Sequence, residues 1–295
     1  MKYIGFNGEV VERDKAVISV LDHGFLYGIG LFETMRTYGG KPFMLERHLR
    51  RLADGCRALG IDRRDDPEQA ERHIAELLRA NGLQDGYVRY TVSAGEGALG
   101  LPSEAYTAPN TIVYAKALPD PPASLYTHGK PLQLLRTRRN SPEGDVRLKS
   151  AHYMNNIMAK RELARYSEAQ RAGAEGLMLN EAGYVAEGIV SNVFFIRGGV
   201  CRTPDVATGI LPGITRALVL EDARHAGIAV EEGFYTWDDL LQADEIFITN
   251  SIQELVPVQR LYDTERNERI VGDGAAGPVT ALLLQLYRSR IAGQR

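Results

Sequence analysis

The stretch PDPPASLYTHGKP, residues 119–131, sets the strongest limit on how this chain can fold. Four prolines in thirteen residues, with Ser124 and Gly129 among them, break the periodicity of the segments on both sides. A chain of 295 residues is also long for a single hydrophobic core. The expectation is an N-terminal domain over residues 1–117, a linker at 118–131 and a C-terminal domain over 132–295.

Before the linker, KYIGFNGEVV and AVISVLD read as short strands, and YGIGLFETMRTYGGKP reads as loop, strand and hairpin. Leu49, Leu52, Cys56 and Leu59 fall at helical spacing, as do Ala70, Ile74, Leu77 and Leu78 ahead of an Asn81-Gly82 stop. In YVRYTVSA, Val88, Tyr90 and Val92 alternate with Tyr87, Arg89 and Thr91, which predicts a half-buried strand, and TIVYAKAL is another. Beyond the linker come a strand at LQLLR and a helix with Met154, Ile157 and Met158 on one face. Strands and turns follow from EGLML to VCRT, then a helix after Pro212-Gly213, the strand DEIFITNS and a closing helix led by Pro278. Strands and helices mix without strict alternation. The predicted class is therefore α+β (mixed α/β) in two domains, not a doubly wound sheet.

Several functions are excluded on chemical grounds. A formal net charge of -3 offers no overall basic surface to nucleic acid or anionic lipid. No run of 18 apolar residues is present to span a membrane, and the N-terminus shows no apolar signal core. Cys56 and Cys201 form no CxxC pair, which argues against a disulfide framework and fits a cytoplasmic protein. The six histidines make no helical metal pair, and no GxSxG elbow exists. GEGALG at 95–100 matches a dinucleotide fingerprint in letters alone. LPSEAYTAPNT follows it where a helix is required, so a loop is expected.

One lysine stands out. The chain has seven lysines against twenty-eight arginines, and Lys149 sits in RLKSAHYMNN, flanked by Leu148 and Ser150. A lysine partly removed from water has a lowered pKa and becomes an amine nucleophile able to capture a carbonyl, that of pyridoxal phosphate included. Such chemistry also needs an acid for the pyridine nitrogen and a cradle for the phosphate. GYVAEGIVSN places Glu187 at a strand end. LPGITR frees the amides of Ile214 and Thr215 at a helix start, and ITNS offers the Ser251 hydroxyl. Taken singly, Glu187 reads as a turn charge, Thr215 as a cap and Ser251 as a turn former.

Together these stretches resemble the fold-type IV pyridoxal-phosphate enzymes, the family of D-amino acid and branched-chain aminotransferases and aminodeoxychorismate lyases. The likeness runs from YGIGLFETMRTYGGKPFMLERHLRRL to DEIFITNSIQELVPV. KSAHYMNN, EGIVSNVFF, LPGITR and ITNSIQELVPV look most like the lyases. The resemblance implies a D-amino acid aminotransferase-like fold, pyridoxal 5'-phosphate as cofactor and a homodimer. It also implies conversion of 4-amino-4-deoxychorismate to 4-aminobenzoate and pyruvate on the way to folate. The alternatives are a class IV aminotransferase and a non-catalytic cofactor-binding protein. By resemblance, Lys149 matches the Schiff-base lysine and Glu187 the carboxylate at the pyridine nitrogen. Arg51 matches the phosphate arginine, Ile214 and Thr215 its backbone donors and Ser251 its hydroxyl donor. Asn192 matches a cofactor-side motif position, and Arg89 a contact to the substrate carboxylate. His152 stands where relatives often carry asparagine.

Overall fold

The computed structural model describes residues 1–64, 66–118 and 121–294, so Pro119 and Asp120 of the expected linker lie outside the described residues. The chain forms two compact units. The first draws on Met1–Asp120, Leu148–His152 and Gly293–Arg295, the second on Pro121–Arg147 and Tyr153–Ala292.

Among the described residues the first unit holds one antiparallel sheet of six strands: β1 (Tyr3–Phe6), β2 (Glu9–Glu12), β3 (Gly30–Tyr38), β4 (Lys41–Pro42), β5 (Tyr87–Ser93) and β6 (Asn110–Lys116). Their order is β2-β1-β6-β5-β3-β4. A short helix, α1 (His23–Leu26), precedes β3, and two longer ones, α2 (Leu45–Ala58) and α3 (Pro67–Ala80), lie between β4 and β5. Side chains alternate across a strand, so Leu31, Met35, Val88, Tyr90 and Val92 share one face. They pack there against Leu49, Leu52 and Cys56 of α2 and Ile74, Leu77 and Leu78 of α3. Asp66 caps α3 through Glu68 N, and Pro67 opens the helix where its missing N–H costs nothing.

AVISVLD departs from the expectation of a strand: residues 16–19 are irregular, and Val17 and Val20 are exposed. Among the described residues no strand pairs with it. GEGALG is a loop, as the prolines of the LPSEAYTAPNT stretch after it predict, and His23 Nε2 donates to Ala98 O at 2.9 Å to pin it.

The second unit is a mixed sheet built from β7 (Lys130–Leu134), β8 (Glu175–Leu179), β9 (Val185–Gly188), β10 (Asn192–Arg197), β11 (Val200–Pro204), β12 (Val230–Gly233), β13 (Glu245–Asn250), β14 (Glu254–Tyr262) and β15 (Glu268–Ile270). The order is β12-β11-β10-β13-β14-β7-β8-β9, with β15 on β14. β7 runs parallel to both β8 and β14, and β11 parallel to β12. Its helices are α4 (Met154–Leu163), α5 (Ser167–Arg171), α6 (Ile214–His225), α7 (Trp237–Leu241) and α8 (Pro278–Gln294). Part of the expected linker is structured, with Ala123–Tyr126 in a 3-10 turn and β7 starting at Lys130.

α4 turns outward the face that carries Met154, Ile157 and Met158, and it buries Asn156, Ala159 and Leu163. Asn156 Nδ2 reaches Ile189 O at 2.6 Å, so a polar contact helps fix the inward side. Among the described residues no helix is long and apolar enough to cross a membrane.

Candidate active site

Lys149 belongs to the first unit, although the expected boundary placed it in the C-terminal domain. The backbone explains this. Phe32 N donates to Lys149 O at 2.9 Å and Ala151 N donates to Gly30 O at 2.8 Å, with Ser150 opposite Leu31. Residues 149–151 thus extend the β3 edge as a short added strand. This register sets Lys149 beside Phe32, and its Nζ lies 4.8 Å from the Phe32 ring centre. Arg89, two residues from the position opposite Phe32, places its guanidinium carbon 3.5 Å from the same centre. Both cations are drawn to the face of a buried aromatic ring. His152 Nε2 donates to Tyr27 O at 3.1 Å, against Gly28.

The opposite face of β3 carries a buried acid. Glu33 lies between Leu31 and Met35 on the core side and is 1% exposed. α2 sets His48 and Arg51 one turn apart, so both reach it. His48 Nδ1 donates to Glu33 Oε2 at 2.6 Å, and Arg51 donates through Nε to Oε1 at 2.8 Å and through Nη2 to Oε2 at 2.6 Å. A two-point fork of this kind fixes a guanidinium plane.

Burial alone would raise the Glu33 carboxyl, but the Arg51 guanidinium and the His48 contact outweigh it and hold it at about 2. Burial lowers His48, against the pull of Glu33. Both groups therefore bind protons more readily when the chain unfolds, and stability drains as pH falls. The His48 contribution starts to go below its ordinary value of 6.5, and the Glu33 contribution goes between 4.5 and about 2. Removing Glu33 leaves Arg51 without its buried carboxylate. Glu33→Ala is expected to cost about 3–5 kcal/mol in urea unfolding at pH 7 and to flatten the pH dependence below 4.5. A loss no larger than that of an ordinary surface substitution would show that this triad does not hold α2 to the sheet.

In the second unit Glu187 is the penultimate residue of β9 and is 5% exposed. Arg139 Nε donates to Oε1 at 2.8 Å, while Leu211 N and Asn192 Nδ2 donate to Oε2 at 3.0 and 3.4 Å. Arg147 Nε stands 4.0 Å from Oε1. Burial and repulsion from Arg139 pull Arg147 down to about 10, with Glu187 opposing them. A carboxylate accepts about four hydrogen bonds. Three donors therefore leave one lone-pair position on Glu187.

Asn192 starts β10 and links Glu187 to the turn before α6, giving its second N–H to Leu211 O at 2.9 Å. A Cβ at Gly213 would overlap Asn192 Oδ1, so only glycine permits this approach. No side chain caps α6 at Gly213. The amides of Ile214 and Thr215 lie in its first turn, where the helix offers them no acceptor and its dipole favours an anion. α6 packs against β13, in which Thr249 lies opposite Asn192. The Thr249 hydroxyl is buried with no hydrogen-bond partner among the described residues, and Ser251 follows in the turn that Asn250 Oδ1 braces through Ile252 N and Gln253 N.

The structure thus groups Lys149 and Arg89 around one ring. It groups Glu187 and Asn192 beside the turn into Ile214 and Thr215, with Thr249 opposite Asn192 and Ser251 in the turn beyond. The sequence reading missed Glu33 and His48, Arg139 and Arg147. An acid at an inward position of an apolar strand was a visible signal for Glu33. Nothing in the spacing of the loop TRRNSPEGDVR marks which arginines turn inward. Among the described residues no group of three His, Cys, Asp or Glu side chains could hold a metal ion.

The family described as amino-transferase class IV matches residues 30–261. The chain belongs to that family. Of its class IV relatives, "Aminodeoxychorismate lyase" of Bacillus subtilis (strain 168) is 39% identical over 97% of this chain and 93% of the relative. "Putative branched-chain-amino-acid aminotransferase" of Methanocaldococcus jannaschii is 37% identical over 97% and 95%. The solved T.th. branched-chain amino acid aminotransferase with pyridoxamine 5'-phosphate superimposes with a TM-score of 0.84, at 32% identity over 99% of this chain and 95% of that one.

Proposed function

We propose that this class IV protein is a pyridoxal-phosphate-dependent lyase that converts 4-amino-4-deoxychorismate to 4-aminobenzoate and pyruvate, a step towards folate. The observation that carries the reading is the likeness to the Bacillus subtilis lyase along almost the whole of both chains. The residues present suit the cofactor. Glu187 retains one acceptor position for a pyridine N–H. The uncapped start of α6 and the unpartnered Thr249 hydroxyl are polar groups that a phosphate ester would satisfy.

When bound, pyridoxal phosphate supplies an aldehyde that captures an amine and a ring that accepts an electron pair. The side chains do the rest. Arg51, its plane fixed by Glu33, the amides of Ile214 and Thr215 and the Ser251 hydroxyl would hold the phosphate. Glu187, steadied by Arg139 and Asn192, supports positive charge at the ring nitrogen. Arg89 takes a substrate carboxylate. Lys149 Nζ removes the proton from the substrate ring C–H, and enolpyruvate leaves from the neighbouring carbon as the ring becomes aromatic. Lys149 then returns a proton to the methylene carbon of the enol, giving pyruvate. Aromatisation drives the expulsion, so orientation and a poised base are what the protein must add.

A second reading, an aminotransferase, is favoured by the 37% identity to the Methanocaldococcus protein. Incubation with aminodeoxychorismate and no keto acid separates the two. The lyase releases pyruvate and 4-aminobenzoate in equal amounts, whereas turnover that needs an added amino acceptor sinks the lyase reading. The exposed Val17, Val20 and Phe25 of the first unit and Met154 and Ile157 of the second support a homodimer that covers them. The buried Cys56 and Cys201, neither in a disulfide, suit a reducing cytoplasm.

A further inference from the structure

A second cleft lies within the second unit, between the end of β7, the last turn of α4 and the turn from β14 to β15. Its volume is about 790 Å3, within the usual range of small-molecule sites. Arg136, Arg161, Arg165 and Arg266 line it, with Met158 and Tyr166 as its apolar wall. None of these residues has a part in the reaction above. We propose that this cleft binds a small polyphosphate anion.

The charges support this. Among the described residues Arg161, Arg165 and Arg266 have no carboxylate within ion-pair distance. Arg136 has only Glu265 at 3.7 Å, with both side chains largely exposed, a pairing of little strength. The acid inside the cleft, Glu162, is committed elsewhere. Its Oε1 accepts Arg136 N at 2.6 Å, and its Oε2 accepts Thr137 N at 2.7 Å and the Thr137 hydroxyl at 2.5 Å. Four arginines therefore line the cleft against one carboxylate, Glu162, whose oxygens are already held by neutral backbone and hydroxyl donors, on a chain whose net charge is -3. General attraction of anions to such a chain is not expected, so a local cause is needed.

The end of α4 gives a bland account of Arg161, because a helix C-terminus favours cations. It gives none for Arg266, which comes from a different element. Arg266 has φ +74°, in the left-handed region that favours glycine or asparagine. Asp263 forces that turn by accepting from Glu265 N at 2.9 Å and Asn267 N at 2.8 Å. An arginine kept at a strained position, at the edge of a cleft already holding three others, points to a ligand that uses its guanidinium. Guanidinium forks match phosphate oxygens, and several of them match a multiply charged phosphate better than a monovalent anion. The half-exposed Met158 and the Tyr166 ring give a surface for the organic part of a nucleotide.

The test is calorimetric titration of the cofactor-loaded protein at low salt with inorganic pyrophosphate and, separately, with ATP. Pyrophosphate reports the anion contacts, and a gain with ATP reports the apolar wall. Binding of pyrophosphate is expected, weakened about tenfold or more by Arg161→Ala with Arg165→Ala. Arg266→Gly removes the guanidinium and relieves the strained backbone, so it is expected to weaken binding while the melting temperature holds or rises. Arg72→Ala, on the exposed face of α3 in the first unit, serves as control and should leave the affinity unchanged. No binding of either probe would overturn the proposal. So would equal affinity in the cleft variants, or a loss in Arg72→Ala as large as theirs.

Discussion

Lys149→Ala is expected to lower pyruvate release from aminodeoxychorismate by about 10⁴-fold or more, since the proposed mechanism asks one side chain for both the amine that captures the cofactor and the base that moves the proton. The fold should survive. The segment is held to β3 by Phe32 N to Lys149 O and Ala151 N to Gly30 O, which are backbone contacts that alanine keeps. The approach of Nζ to the Phe32 ring is lost, worth about 0.5–1 kcal/mol. Two readouts separate chemistry from folding. Circular dichroism and the unfolding midpoint should match the parent closely, while borohydride treatment of the cofactor-saturated protein should no longer attach a pyridoxyl group at residue 149. A variant that folds normally and still releases pyruvate near the parent rate would remove this lysine from the mechanism.

Glu187→Ala carries the second large effect, and it acts on both stability and rate. The substitution strips the acceptor from Arg139 Nε, Leu211 N and Asn192 Nδ2 together and leaves two buried guanidiniums facing each other. Arg147 is already pulled down by burial and by Arg139, and losing Glu187, the stronger of the two carboxylates that oppose this, makes the repulsion worse. The expected cost is about 3–5 kcal/mol of unfolding free energy. Glu187→Gln keeps the shape and the Arg139 contact, and it should fold better than the alanine variant. Its rate at saturating cofactor should still fall by about 10²–10³-fold, because a neutral amide no longer stabilises charge at the ring nitrogen. Parent-like turnover in Glu187→Gln would refute that electrostatic role even if the alanine variant fails to fold.

What could be read from the sequence was whatever is local. The α2 and α3 helices follow from apolar spacing at Leu49, Leu52 and Cys56 and at Ile74, Leu77 and Leu78. β5 follows from two-residue alternation, because each face of a strand meets one environment. The start of α6 follows from Pro212-Gly213. Where periodicity was read without a partner surface, it fell short. AVISVLD has strand-like apolar content yet stays irregular, and α4 turns Asn156 inward and its methionines outward. A pattern of side chains does not state which neighbour will cover them.

The chain's letters alone determined its mixed class and the long helices, since propensity and spacing are properties of adjacent residues. Tertiary structure alone decided that residues 148–152 pair with β3, that Glu33 locks Arg51, and that Arg139 and Arg147 flank Glu187. These contacts join residues from 18 to more than a hundred positions apart. A buried charge is stable only where folding delivers its partner, and nothing in the local sequence around either member records that meeting.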